Sequence, residues 1–278
     1  MINRCKICNV ELKPLKKKIN NFQKCSKCGL LYFLDAKSIQ YDDNYFNSEY
    51  RNQYGTSYID DKEKIQKRLL QRYDIFKKYV KSNANENINL LEMGSAAGFF
   101  LSLMKEKGFK VQGWEISEFM SEYANANKVP TQCGDLIDLY KNWKQSKENR
   151  YDIVSAFYVL EHIPDQAFIW KIFQNVTSAK GLLLLAMPSY SGPGFFFNRE
   201  KWINNHPKDH FVDYNPSSLK KVAMIHGFKP LFFRSEGIHS ERFPLGNKAG
   251  FKLLYNTLQK KIPFSDTIFA GFIKNDNA

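Results

Sequence analysis

Leu90-Leu91-Glu92-Met93-Gly94-Ser95-Ala96-Ala97-Gly98-Phe99-Phe100-Leu101 is the stretch on which the fold turns. An apolar run closes on an acid, a glycine turn follows, and an apolar helical pattern opens directly after it, which reads as strand, turn and helix. In sheets built from such units, ligands gather at the carboxyl ends of the strands. A dinucleotide fingerprint would read Gly-x-Gly-x-x-Gly and cradle a pyrophosphate on backbone N–H groups. Here Gly94 and Gly98 stand four apart, and Glu92 precedes the first by two residues. A carboxylate at that place disfavours phosphate and suits a ligand whose amino and sulfonium groups are both cationic, as in S-adenosylmethionine.

Outward from this turn the acids recur. Gly113-Trp114-Glu115-Ile116-Ser117 sets Glu115 twenty-one residues after Gly94, the spacing of an acid at the tip of the second strand, where two oxygens can accept from both ribose hydroxyls. Cys133-Gly134-Asp135-Leu136 places a third acid after the third strand, within reach of an adenine amino group. Three acids at three successive strand tips are poorly explained as solubilising charge. Strand signals near 88–93, 110–115, 128–132, 151–157, 181–187, 228–234 and 267–274 alternate with helical ones near 98–107, 117–127, 165–178 and 216–226. The expected class is α/β, a doubly wound, seven-stranded, mostly parallel sheet over residues 83–278.

Four of the five cysteines form two pairs, Cys5-Lys6-Ile7-Cys8 and Cys25-Ser26-Lys27-Cys28, sixteen residues apart. Two residues between thiols let one tight turn aim both sulfurs at a tetrahedral centre, so residues 1–34 are expected to form a zinc ribbon whose stability comes from the metal. The ribbon is open to two uses, as a packing unit or as a contact to the acceptor. Residues 35–82 form a connector: Tyr41, Tyr45, Phe46, Tyr50, Tyr54 and Tyr58 lie among polar residues, and an amphipathic helix follows from Asp61 to Lys81.

A net charge of +13 invites a polyanion, yet lysine-rich, asparagine-rich composition also follows from AT-rich coding. Nucleic acid is therefore disfavoured without being ruled out, and an acidic metabolite explains the charge equally well. The longest apolar stretch, Gly181–Met187, stops at Pro188, far short of the roughly 20 residues that cross a bilayer. No signal-peptide pattern opens the sequence, and a cytoplasmic enzyme is expected. Nothing in the sequence bears on oligomeric state.

Over residues 83–278 the sequence resembles the class I S-adenosylmethionine-dependent methyltransferases. Glu92, Gly94 and Gly98 match that family's first motif, with Ala96 in place of its middle glycine, and Tyr151 through Leu160-Glu161-His162-Ile163-Pro164-Asp165 match its fourth strand. The resemblance implies donor contacts at Glu92, Gly94, Ser95, Gly98, Glu115, Ile116, Asp135, Leu136 and Tyr158. The whole chain is similar to a bacterial group with a Cys-x-x-Cys ribbon, associated with glycan and sugar biosynthesis. This implies a small-molecule acceptor, a nucleotide- or lipid-linked sugar, methylated at oxygen or carbon. In that group Pro-Arg-His follows a Trp; this chain has Trp202 and His206-Pro207-Lys208-Asp209-His210-Phe211, a departure that weakens any inherited phosphate contact.

Methyl transfer asks the protein to align acceptor, methyl and sulfur, and to take up a proton when the acceptor is a hydroxyl or carbon acid. His210 is the first candidate base, in a segment expected to cover the acceptor, and His162 is the second; a turn-stabilising role competes for His162. Tyr158, Tyr190 and Trp202 could stack on a ring or pack in the core. RNA methylation and a non-catalytic binding subunit are the competing readings, the first opposed by the missing Asn-Pro-Pro-Tyr motif and the second resting on Ala96 alone.

Overall fold

The computed structural model describes residues 4–16, 19–40, 50–51, 55–80, 88–146, 150–236 and 264–276. Tyr41, Tyr45, Phe46, Tyr54, His239 and the break at 82–85 lie outside the described residues. Seven strands form one sheet: β4 (Asn89–Met93), β5 (Lys110–Glu115), β6 (Thr131–Cys133), β7 (Tyr151–Phe157), β8 (Thr177–Pro188), β10 (Phe228–Glu236) and β11 (Thr267–Lys274). Their order is β10-β11-β8-β7-β4-β5-β6. β4 runs parallel to β5 and β7, β5 runs parallel to β6, and β10 and β11 pair antiparallel. This is the α/β, Rossmann-like architecture expected from the alternation of strand and helix patterns.

The chain divides into two compact units that do not follow sequence order. One comprises Ile39–Ala156 and Asn175–Leu183; the other comprises Met1–Ser38, Phe157–Gln174 and Leu184–Ala278. In the first, α1 (Lys62–Phe76) precedes β4, and α2 (Phe99–Glu106), α3 (Glu118–Ala126) and α4 (Leu136–Ser146) follow the strand tips. α2 buries Phe99, Phe100, Leu101 and Met104. α3 starts where the Ser117 hydroxyl accepts from Met120 N–H, which satisfies one of the donors that a helix start leaves open.

In the second unit a four-stranded sheet is ordered β1-β2-β3-β9, from β1 (Leu12–Lys16), β2 (Ile19–Cys25), β3 (Leu31–Phe33) and β9 (Val212–Asp213). The N-terminal hairpin therefore gains a strand from two hundred residues downstream, with Leu31 opposite Asp213 and Tyr32 opposite Val212. Around it lie α5 (Gln166–Val176, its last two residues in the other unit), the short α6 (Pro193–Phe197) and α7 (Arg199–Asn204), and α8 (Pro216–Ile225). α8 opens with Asn215 and Ser218 capping each other's backbone N–H, followed by a proline that suits the first helical position. Among the described residues no helix is long and apolar enough to cross a membrane.

Candidate functional site

In the first unit the turn after β4 carries three consecutive alternate residues in left-handed backbone: Gly94 at φ 68°, Ala96 at φ 44° and Gly98 at φ 72°. Ala96 is thus the one of these three left-handed residues that bears a Cβ. Gly98 has no room for one: a Cβ there would stand 2.9 Å from Val129 Cγ1 and 3.2 Å from Ala124 Cβ. Glu115, at the tip of β5, fixes the turn from the neighbouring strand: its Oε2 accepts from Ala96 N–H at 2.7 Å and its Oε1 from Ser117 N–H at 2.8 Å. Each carboxylate oxygen has a second lone pair for a ribose hydroxyl. Burial raises the Glu115 carboxyl from its ordinary value, opposed by the amide bonds of Ser117, Ala96 and Ile116.

Glu92 is buried at 4% exposure, and its Oε2 has no hydrogen-bond partner among the described residues. Burial drives its carboxyl well above the carboxylate range, while the positive charge of Arg72 works the other way. Arg72, from α1, is itself 1% exposed. Sequence reasoning missed it, because neither of the two arginines in Lys62–Phe76, a segment dense with charged side chains, carries a mark of burial. Tyr58 stacks on Phe99 at 5.5 Å, and burial with the charges of Glu92, Tyr50 and Glu115 raises its hydroxyl above the ordinary value. Ile116 is exposed beside Glu115, as an adenine contact would need. Asp135 is exposed; its Oδ1 accepts from Ile137 and Asp138 N–H, so one of its oxygens starts α4. Ser95 is buried, and its hydroxyl has no hydrogen-bond partner among the described residues. Leu136 opens α4.

The other unit holds the histidines. Tyr158, in left-handed backbone at φ 58°, donates its N–H to Ala186 and begins the turn to Leu160-Glu161-His162. Gln166 fastens that turn by donating to the Leu160 and Ile163 carbonyls at 2.8 and 2.7 Å, and Phe211 N–H donates to the Glu161 carbonyl at 2.7 Å. His162 Nδ1 lies 3.1 Å from Asp209 Oδ2 and 3.3 Å from its carbonyl oxygen. Both are acceptors, so Nδ1 carries a hydrogen and Nε2 is the ring's other face. Burial opposes charge on His162, but the Asp209 bond and the charges of Glu161 and Asp209 outweigh it and hold the imidazole above its ordinary value. Asp209 falls to about 2, the His162 bond and charge overcoming burial.

His210 packs edge-on to His162, ring centres 4.8 Å apart, and is pushed down to about 3 by burial and then by the His162 charge. The structure therefore brings the two predicted histidines together and makes His162 the more basic. Burial raises Glu161 to about 7, against the pull of His162, and both its carboxylate oxygens are buried without partners among the described residues. His206 Nε2 donates to Asp213 Oδ2 at 3.0 Å inside an aromatic box of Phe22, Phe33 and Trp202. Asp209 and Asp213 were not anticipated as partners; the Lys-Asp replacement of the arginine pattern was the signal that pointed to the first.

The four N-terminal cysteines converge, with all four sulfurs within 4.8 Å of one another. Cys5, Cys25 and Cys28 are buried, and Cys8 and Cys28 N–H donate to the Cys5 and Cys25 sulfurs at 3.4 Å each. Cys28 stands 3.6 Å from Cys5 and lowers it to about 4, while burial raises Cys8 to about 11. Four thiolates this close repel one another, and a cation among them would offset that repulsion.

A parallel sheet with an acid-flanked turn after its first strand and a second acid bonding that turn defines the class I methyltransferase fold. The sequence matches the methyltransferase domain family over residues 62–231, more than half of the chain. It is 26% identical over 179 residues to a ubiquinone biosynthesis O-methyltransferase from Hydrogenovibrio crunogenus, covering 58% of this chain and 68% of that protein. Similar solved structures include an S-adenosylmethionine-dependent methyltransferase from Archaeoglobus fulgidus, with TM-score 0.58 and 18% identity over 84% of this chain and all of that one. Another is the magnesium protoporphyrin IX methyltransferase of Synechocystis with bound S-adenosylhomocysteine, with TM-score 0.54 and 15% identity over 84% of this chain and 97% of that one. The chain belongs to the methyltransferase domain family and is an S-adenosylmethionine-dependent methyltransferase.

Proposed function

We propose that this enzyme methylates a hydroxyl oxygen of a nucleotide- or lipid-linked sugar, with S-adenosylmethionine as donor and a histidine as the base that receives the acceptor's proton. The proposed donor contacts are Glu92, Gly94, Ser95, Gly98, Glu115, Ile116, Asp135, Leu136 and Tyr158, and Arg72 adds a guanidinium suited to the donor's carboxylate. The acceptor oxygen takes the methyl carbon as the carbon–sulfur bond breaks, and the O–H proton passes to His162 Nε2. The observation that carries this reading is the His162–Asp209 pair at 3.1 Å, which fixes the tautomer and raises the basicity of the face that remains. His210, held neutral beside it, orients the acceptor.

Oxygen as the accepting atom is supported by the ubiquinone biosynthesis O-methyltransferase relative, whose name speaks of O-methylation. A phosphate-bearing acceptor is supported by a cavity of about 380 Å³ beside the cysteines, where Lys13, Lys24 and Lys221 meet with no carboxylate in the lining. Residues 1–34 are the ribbon, 35–82 the connector and 83–278 the catalytic domain, in a cytoplasmic protein. Zinc is the ribbon's metal, since four clustered thiolates fit its tetrahedral preference. Replacing His162 and His210 singly by Ala tests the chemistry. Turnover on nucleotide-sugar acceptors should fall about 10²–10⁴-fold in His162→Ala with donor affinity retained. Unchanged turnover in both variants sinks the assignment.

A further inference from the structure

We infer that Glu161, His162 and His210 form a divalent-cation site, separate from the cysteine cluster. One ligand atom from each lies within 4.8 Å of the others. Glu161 is 2% exposed, and neither of its carboxylate oxygens has a hydrogen-bond partner among the described residues. Such a group is costly to bury, and protonation does not cure it, because the acid form leaves a buried O–H and a buried acceptor in the same position. A cation shared with two imidazoles satisfies it.

The surroundings have the form that metal sites use. Asp209 receives the Nδ1 hydrogen of His162, which leaves Nε2 as the ring's lone-pair nitrogen, as a carboxylate behind a ligating histidine does. Gln166, donating to the Leu160 and Ile163 carbonyls, and Phe211 N–H, donating to the Glu161 carbonyl, fix the turn that carries Glu161 and His162. His206 and Asp213 also approach His210, but they are bonded to each other at 3.0 Å, so the open carboxylate is Glu161. Two imidazoles and one carboxylate select a borderline first-row ion, zinc, iron(II), cobalt(II) or nickel, over calcium and magnesium, which want oxygen.

Three protein ligands leave coordination positions open, and these suit an acceptor with two adjacent oxygens, a vicinal diol or a hydroxyl beside a carbonyl. That catalytic meaning rests on the acceptor reading above and recasts His162 and His210 as groups that act on the hydroxyl through the ion; binding of the ion itself does not depend on it.

The test is cobalt(II) titration of the full-length protein after loading with one equivalent of zinc to fill the thiolates. Wild type should bind one further equivalent whose visible spectrum lacks the sulfur-to-cobalt charge-transfer band, and Glu161→Gln and His210→Ala should each weaken it at least tenfold while still binding the methyl donor by calorimetry. No uptake beyond the zinc, or wild-type uptake by both variants, overturns the site. Should a variant fail to bind the donor and so count as misfolded, X-ray absorption on wild type decides: a nitrogen and oxygen shell supports the site, a sulfur shell overturns it. Cobalt bound at the cluster with no methyl transfer to any sugar would discard the acceptor while leaving the cation site standing.

Discussion

Glu92 and Arg72 are both buried, and the positive charge of Arg72 works against the burial that raises the Glu92 carboxyl. Arg72→Met removes that charge and should cost about 1–3 kcal/mol in chemical denaturation and weaken donor binding, whereas Arg72→Met combined with Glu92→Gln should recover part of the stability and none of the binding. A denaturation cycle showing the two substitutions to be additive would remove the pairing. His210 supplies a second residue-level expectation. Its folded value is depressed from 6.5 to about 3, so below pH 6.5 the unfolded chain takes a proton that the folded chain refuses, and stability falls as pH drops through that window. The slope assigned to this one group is about 1.4 kcal/mol per pH unit. Thermal melts of His210→Gln between pH 7 and 4 should therefore show a shallower acid limb than wild type; parallel limbs would mean that His210 titrates normally.

At the scale of elements, the turn between β4 and α2 combines two opposite cases of left-handed backbone. Ala96 holds φ 44° at a cost that glycine would not bear, so Ala96→Gly should raise stability by about 0.5–1 kcal/mol and leave donor affinity equal or better. Gly98→Ala meets both the φ of 72° and the Val129 side chain at 2.9 Å, and should lower stability by about 1–3 kcal/mol and donor affinity with it. Calorimetry and denaturation on the two variants check both signs. The elements around this turn were legible because periodicity and strand-tip acids repeat one physical requirement, a ligand at the carboxyl edge of the sheet. Elsewhere local pattern fell short. β6 runs 131–133, shifted from the expected 128–132, because Lys128 sits at φ 62° and turns the chain before the apolar Val129. α4 is not among the helices expected from the sequence: Asp135 reads as a ligand contact there, whereas in the structure its Oδ1 starts the helix, so a ligand contact would fall to its other oxygen. α6, α7 and the two-residue β9 are too short for any period to show, and their positions come from tertiary packing. The same limit hid Arg72 and the Asp209–His162 and Asp213–His206 pairs, since nothing local says which of many charged residues is buried.

For the molecule as a whole, the ribbon is bound into the unit that carries the histidine cluster. β3 pairs with β9, the strand that leaves His210 and ends at Asp213, the partner of His206. Phe22 and Phe33 of the ribbon press on the His206 ring at 4.9 and 4.7 Å, and Tyr190 donates its hydroxyl to the Gly29 carbonyl at 2.6 Å, beside the last cysteine. Phe22 and Leu31 share a core with Tyr190 and Phe195. The proposed metal, by folding the hairpin, would thus also hold one edge of the cluster, which is a larger role than an appended packing unit would have. Glu92, Gly94, Gly98 and Glu115, the residues proposed to hold the donor, belong to the other unit. Cys25→Ser, or removal of zinc by a chelator, should accordingly lower the melting temperature of the ribbon-bearing unit and raise KM for the acceptor, while calorimetric affinity for S-adenosylmethionine changes less than about threefold. If donor affinity collapses together with acceptor KM, the two units unfold as one and the ribbon supports the entire fold; if neither moves, the thiolates hold no structural metal.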